Sequence, residues 1–253
     1  RLGVKPLFIT ELNGRYIFGS EIKILLSISG RIPEVDEDSL SDYFSYNYVP
    51  PPKTLFRHIE HVSPGNILTL SEGGIARRRW WNLSEIEVDH WSYSDRWEEE
   101  FNSLLIDATR LRRAADVEVG AFLSGGIDSS ALAYVLSKLS KKKIETFSIS
   151  FKDRNYDESI YQKKVVDLIK SKHTNITISK KDIANNFEKV INHTESILFR
   201  TAPVPMYLLS KRVSKKKHKV IFSGEGCDEI TLGYDIFFEN RLRKKWLKSP
   251  NSS

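Results

Sequence analysis

The sequence predicts an α/β protein: a parallel sheet covered by helices on both faces, preceded by a smaller β-rich region. Three observations carry this. Beyond residue 95, short apolar runs alternate with segments of helical periodicity. Two of those runs end in turns rich in glycine and acid, and residues 1–83 show paired strand-turn-strand patterns instead. Strands that alternate with helices pair in parallel, and ligands of such sheets bind beyond the carboxyl ends of the strands. The turns after the strands are therefore where chemistry is expected.

In the first region, residues 7–10 and 15–19 flank Asn13-Gly14, a dipeptide that favours a tight hairpin. Ser20 is expected to cap a short helix over residues 21–26, with Glu21 as the acid of its first turn. Pro50-Pro51-Pro52 forbids regular helix and marks an extended crossing. Residues 66–70 and 74–77 then repeat the strand-turn-strand pattern around Glu72-Gly73. Residues 84–94 are polar and lose their period, which places a linker there between a domain over 1–83 and a second over 95–253. In the second domain Trp97, Phe101, Leu104, Ala108 and Leu111 share one face of an amphipathic helix. Strands follow over 117–123, 144–151, 174–179 and 219–223, and helices over 129–139, 159–169, 183–197 and 206–214.

At 253 residues the chain has room for two such domains, and 40% hydrophobic with 28% charged residues is an ordinary globular composition. No apolar run approaches the ~20 residues that span a bilayer, so no membrane association is expected. A single cysteine, Cys227, excludes an internal disulfide framework and fits a cytoplasmic location. The start at Arg1 shows neither an initiator Met nor a signal peptide, and a cut N-terminus is expected. The formal charge of +6 gathers in residues 141–143, 215–217 and 241–248. Those lysine runs lack the interleaved aromatics of single-strand binders, so solvated faces rather than nucleic acid are expected.

Leu123-Ser124-Gly125-Gly126-Ile127-Asp128-Ser129-Ser130 follows an apolar strand and opens a helix. In that context a glycine loop and the unpaired amides of a helix start can hold an anion. The glycines let backbone N–H groups approach phosphate oxygens, and Ser124, Ser129 and Ser130 add hydroxyls. A carboxylate such as Asp128 repels a polyphosphate unless a cation lies between them, which implies Mg²⁺. The P-loop pattern is absent, since no lysine follows the glycines. The segment resembles instead the SGGxDS loop of adenine-nucleotide pyrophosphatases, which break the bond between the α- and β-phosphates of ATP. A second turn, Ser223-Gly224-Glu225-Gly226-Cys227-Asp228-Glu229, closes the run 219–222. If the fold brings the two turns together, Asp128 and Asp228 can share a Mg²⁺ while Glu225 orients substrate.

Together the two motifs resemble the glutamine-dependent asparagine synthetase family. Residues 200–210 and 233–237 are similar to its stretches on either side of the second motif. Residues 1–7, 19–23, 48–50 and 63–65 resemble the closing part of its N-terminal-nucleophile glutaminase domain. The resemblance implies that Leu123 and Ile149 lie against adenine and ribose, and that Ser124, Gly125, Gly126 and Ser129 hold the pyrophosphate. It implies that Ser223 and Gly224 touch the nucleotide, that Glu225 serves formation of a β-aspartyl-AMP intermediate, and that Asp128 and Asp228 bind Mg²⁺. The implied substrates are aspartate, ATP and glutamine or ammonia, and a homodimer is implied as well.

Two departures qualify it. The family's N-terminal cysteine nucleophile is absent, so the chain as written is not expected to hydrolyse glutamine; Cys227 reads as buried filler. The chain also stops before the segment that carries the family's amide-forming lysine. The residues leave other readings open: a related adenylating synthetase acting on another acid, as in β-lactam synthetases and lasso-peptide cyclases, a tRNA-modifying pyrophosphatase, or a non-catalytic fragment.

Overall fold

The structure is a computed structural model that describes residues 1–30, 32–86, 96–153 and 157–248. Most of the expected linker, 84–94, lies outside them. The chain divides into two compact units, Arg1–Ser92 with Asn185–Pro203 and Tyr93–Ala184 with Val204–Ser253. Each is characterised through its described residues.

The first unit opens with the expected hairpin, β1 (Phe8–Leu12) and β2 (Arg15–Gly19), paired antiparallel from Phe8 opposite Gly19 to Leu12 opposite Arg15. A third strand, β3 (Ile59–His61), adds to the free edge of β1. The second hairpin is β4 (Asn66–Ser71) with β5 (Gly74–Arg79). Ile22 and Leu25 of helix α1 (Ile22–Ser29) close a core with Ile59, against Phe8, Ile17, Leu26 and Phe56. Ser20 does not cap this helix. The N-cap position is Glu21, which makes no side-chain cap. The free amides of Ile22 and Lys23 donate instead to the Glu195 carboxylate, at 2.6 and 2.8 Å. An anion at a helix start is favoured both by those orphan donors and by the helix dipole. We expect Glu195→Ala to cost about 1–2 kcal/mol of stability in urea denaturation, in the range of a lost cap.

Helix α2 (Glu37–Tyr46) was not expected from the sequence; Asp36 caps it through the Ser39 amide at 2.9 Å.

The second unit opens with helix α3 (Arg96–Arg112), which confirms the helical period but not the buried face. Phe101, Leu104 and Leu111 are 54%, 62% and 67% exposed, and Thr109 is the helix's buried residue. The unit's sheet comprises β6 (Val119–Phe122), β7 (Glu145–Phe151), β8 (Lys172–Ile178) and β9 (Val220–Phe222), all parallel, in the order β8-β7-β6-β9. Helices α4 (Ile127–Leu139) and α5 (Ser159–Ile169) make the first two crossovers. Helices α6 (Lys180–Thr194) and α7 (Pro203–Lys215) lie between β8 and β9 in the chain.

Alternation along the strands feeds two cores. Ala121 of β6 and Leu123 just after it pack with Ala133 and Leu136 of α4, whereas Phe147 of β7 packs with Leu209 and Val213 of α7. Fully burying side chains such as Leu136 and Phe147 contributes roughly 1.5–3 kcal/mol each. The chain builds β6, β7 and β8 outward in one direction, then returns to place β9 on the other side of β6. The strand order thus reverses between β6 and β9, and at such a switch point the loops diverge and leave a crevice. Both glycine-and-acid turns leave the sheet there.

Candidate active site

The first turn is held in shape by its own hydroxyls. The Gly126 amide donates to Ser124 Oγ at 3.1 Å, Ser124 Oγ lies 2.8 Å from Ser129 Oγ, and Ser129 Oγ donates to the Gly126 carbonyl at 3.2 Å. The Ser124 amide donates to Ser129 Oγ as well, at 3.1 Å. Ser130, expected as a phosphate donor, turns its hydroxyl back onto the Gly126 carbonyl at 2.6 Å. No side chain caps α4 at Gly126, so the amides of its first turn are left to a ligand, where the helix dipole favours negative charge.

Gly125 has φ +98, and a Cβ there would lie 3.1 Å from Tyr161 Cβ and 3.2 Å from the Glu158 carbonyl oxygen. The loop is thereby seated against the start of α5. Gly125→Ala is expected to cost about 1–3 kcal/mol in urea denaturation, the usual strain of a left-handed non-glycine residue. Gly126→Ala, at φ −71, is the milder control.

Gln162 was missed from the sequence. It is 3% exposed, and its Nε2 donates to the carbonyls of Ser124 at 3.2 Å and Ile149 at 2.9 Å. One buried amide thus ties the first residue of the loop to the carboxyl end of β7. A lone glutamine on a helix of unremarkable pattern carries no signal of this.

The second turn follows β9. The Glu225 amide donates to Ser223 Oγ at 3.3 Å, and Gly226 leads into the short helix α8 (Cys227–Thr231). The chain then doubles back, with the Gly233 amide donating to the Asp228 carbonyl at 2.9 Å and Tyr234 OH to Glu229 Oε1 at 2.9 Å.

The two turns touch. A Cβ on Gly224 would lie 3.1 Å from the Ser129 nitrogen and 3.3 Å from Asp128 Cβ, so only a glycine lets the strands' ends close this far. Cys227 joins the same contact. Burial first, and then a hydrogen bond to the Asp128 carboxylate with added repulsion from Asp228, pushes its thiol above the usual range and keeps it protonated. The residue expected as buried filler is thus only half-buried, in the neighbourhood of Asp128.

Between the turns lies a cleft of about 550 Å³ whose lining includes Ser124, Gly126, Asp128, Ser129, Ser223, Gly224, Glu225 and Asp228. That is the size of a small-molecule site. Phe122, Met206 and Tyr234 add apolar wall. Gly125 sits behind the loop, as above. Leu123 is 1% exposed in the core beneath, its amide bonded to Phe147 and its carbonyl to Ser148, and Ile149 packs in the α7-side core.

Asp128 and Asp228 both line the cleft. Among the described residues no three His, Cys, Asp or Glu side chains converge as a ready-made metal cage. Mg²⁺ does not require one, since it keeps waters and takes phosphate oxygens alongside one or two carboxylates. The donor set fits Mg²⁺ bound together with a polyphosphate.

A family model described as asparagine synthase matches residues 100–252, and one described as a glutamine amidotransferase domain matches residues 1–81. The chain belongs to the asparagine synthase family. Asparagine synthetase [glutamine-hydrolyzing] 1 of Bacillus subtilis strain 168 is 31% identical over 252 residues, covering 98% of this chain and 39% of that protein. Asparagine synthetase [glutamine-hydrolyzing] 3 of the same strain is 32% identical over 272 residues, covering 98% and 43%. This asparagine synthase family chain therefore spans well under half the length of those relatives. A solved NH3-dependent NAD synthetase from Campylobacter jejuni overlays 54% of this chain and 60% of its own at a TM-score of 0.40 and 17% identity. Among the described residues no helix is long and apolar enough to cross a membrane.

Proposed function

We propose that the second unit activates the side-chain carboxylate of aspartate with ATP. One aspartate oxygen attacks the α-phosphorus, the bond to the β-phosphate oxygen breaks, and pyrophosphate leaves with that electron pair. Ammonia then attacks the acyl carbon of β-aspartyl-AMP, loses a proton, and expels AMP to give asparagine. The observation that carries this reading is the contact of Gly224 with Asp128 and Ser129, which makes one cleft of two motifs.

In this reading Ser124, Gly125, Gly126 and Ser129 shape the cradle for the departing pyrophosphate, and the free amides of α4 offset its growing charge. Asp128 and Asp228 would hold Mg²⁺, which, when bound, neutralises negative charge on the phosphates and so admits an anionic nucleophile. Glu225 orients the reacting acid, and Ser223 and Gly224 border the nucleotide. Leu123 and Ile149 support adenine and ribose from the strand ends. For the whole protein we carry over glutamine as ammonia source, from the domain matched over residues 1–81, and a homodimer from the family resemblance.

The test is ATP–pyrophosphate exchange by the full-length protein across a panel of carboxylic acids. Exchange with aspartate alone is expected. Exchange with a different acid alone, or only when tRNA is added, would replace this reading with one of the other adenylating chemistries.

A further inference from the structure

At the amino-terminal edge of the same sheet, opposite the glycine turns, lies a second cleft of about 680 Å³. Arg113 after α3, Lys141, Lys142 and Lys143 after α4, Lys172 at the start of β8 and His218 before β9 line it. From the sequence alone the lysine run reads as a solvated face. The structure gives it other company.

His218 is 9% exposed. Its Nε2 lies 2.9 Å from Glu145 Oε2, while its Nδ1 is buried with no protein partner. Arg113 Nε is likewise buried and without a partner. Proteins seldom leave such atoms unsatisfied, and both belong to residues that line this one cleft. The charge agrees. Of the two carboxylates lining the cleft, Glu118 and Glu145, the latter is already engaged by Lys216 at 2.7 Å, by His218 and by Thr174 at 3.2 Å. Burial works to raise the Glu145 carboxyl, but the Lys216 and His218 contacts outweigh it and hold the group below its ordinary range, so it stays an anion. The carboxyl ends of α3 and α4 at the rim contribute roughly half a negative charge each. Five cationic side chains still leave the cleft positive.

We propose that this cleft binds a small phosphate-bearing anion. Phosphate presents several oxygens to donors arriving from separate elements, which suits the Arg113 guanidinium and the lysine ammoniums. Among the described lining residues there is no aromatic platform for stacked bases, which favours a small ligand over a nucleic-acid strand. The cleft volume accommodates an organic phosphate as well as the free ion.

The experiment titrates the full chain, ¹⁵N-labelled, with inorganic phosphate and separately with glycerol 3-phosphate, following amide shifts. Saturable shifts at Lys141–Lys143 and His218 are expected from at least one probe. The tighter of the two identifies ester or free ion as the occupant. In the double variant Lys142→Ala/Lys172→Ala, both sites being exposed, affinity should fall about tenfold or more. Asp128→Asn should leave these shifts unchanged. The proposal is overturned if neither probe gives a saturable shift there, if the double variant binds as well as the parent, or if the shifts are confined to residues 124–129.

Discussion

Asp128→Asn is expected to lower aspartate-dependent pyrophosphate exchange by about a hundred- to a thousandfold, the usual consequence of removing one preorganised electrostatic partner from a reacting centre. The substitution keeps the shape of the side chain. The contact between the two turns runs through Gly224 against the Asp128 Cβ and the Ser129 nitrogen, which the substitution leaves in place. The lost negative charge in the first turn of α4 is worth no more than about 1 kcal/mol to the helix. Folded stability in urea should therefore change little while exchange collapses. Exchange that survived unchanged would remove Asp128 from the site.

Gly233→Ala should also be damaging, though less so, by a route that leaves every proposed ligand in the sequence. A methyl on Gly233 would clash with Asp228 Oδ1, and the Asp228 backbone is pinned by its carbonyl's bond to the Gly233 amide at 2.9 Å. The carboxylate is the part that can move, and it must leave its place in the cleft. We expect exchange to fall at least about tenfold, equivalent to 1.4 kcal/mol, with a raised Mg²⁺ concentration for half-maximal rate. A flexible side-chain end absorbs the clash, so stability should stay within about 1 kcal/mol of the parent. Unfolding of the variant, or unchanged Mg²⁺ dependence, would argue that Asp228 has only a structural role.

The sequence shows best what local rules determine. Short β-rich runs, helical periods and turn dipeptides are properties of adjacent residues, and the strands and crossover helices of the second unit fall where the pattern places them. Both motifs are read from position after a strand, and the switch point then follows from the sheet order. Less legible is what distant residues decide. Ser20 satisfies the local rule for a helix cap, yet the free amides of α1 are met by Glu195, 173 positions beyond Ile22, and no short window contains that information. Helix α2 has the segment Glu37–Tyr46 with only Ser39 and Tyr43 buried, too thin a stripe to announce itself, although Asp36 three residues before Ser39 is a readable cap. Cys227 looks like filler until folding sets it beside Asp128. The apolar face of α3 was legible as a face, but its exposure depends on what the rest of the fold offers to cover it.

The measurement closest to the central claim replaces Mg²⁺ by Mn²⁺, whose unpaired electrons broaden nearby resonances, and adds it with ATP to the ¹⁵N-labelled chain. If one metal-bound nucleotide lies between the two turns, amides of residues 124–129 and 223–228 will broaden together, at the same Mn²⁺ concentration, and both effects will be lost in Asp128→Asn. Broadening of one turn without the other, or of each at its own concentration, would contradict a shared site.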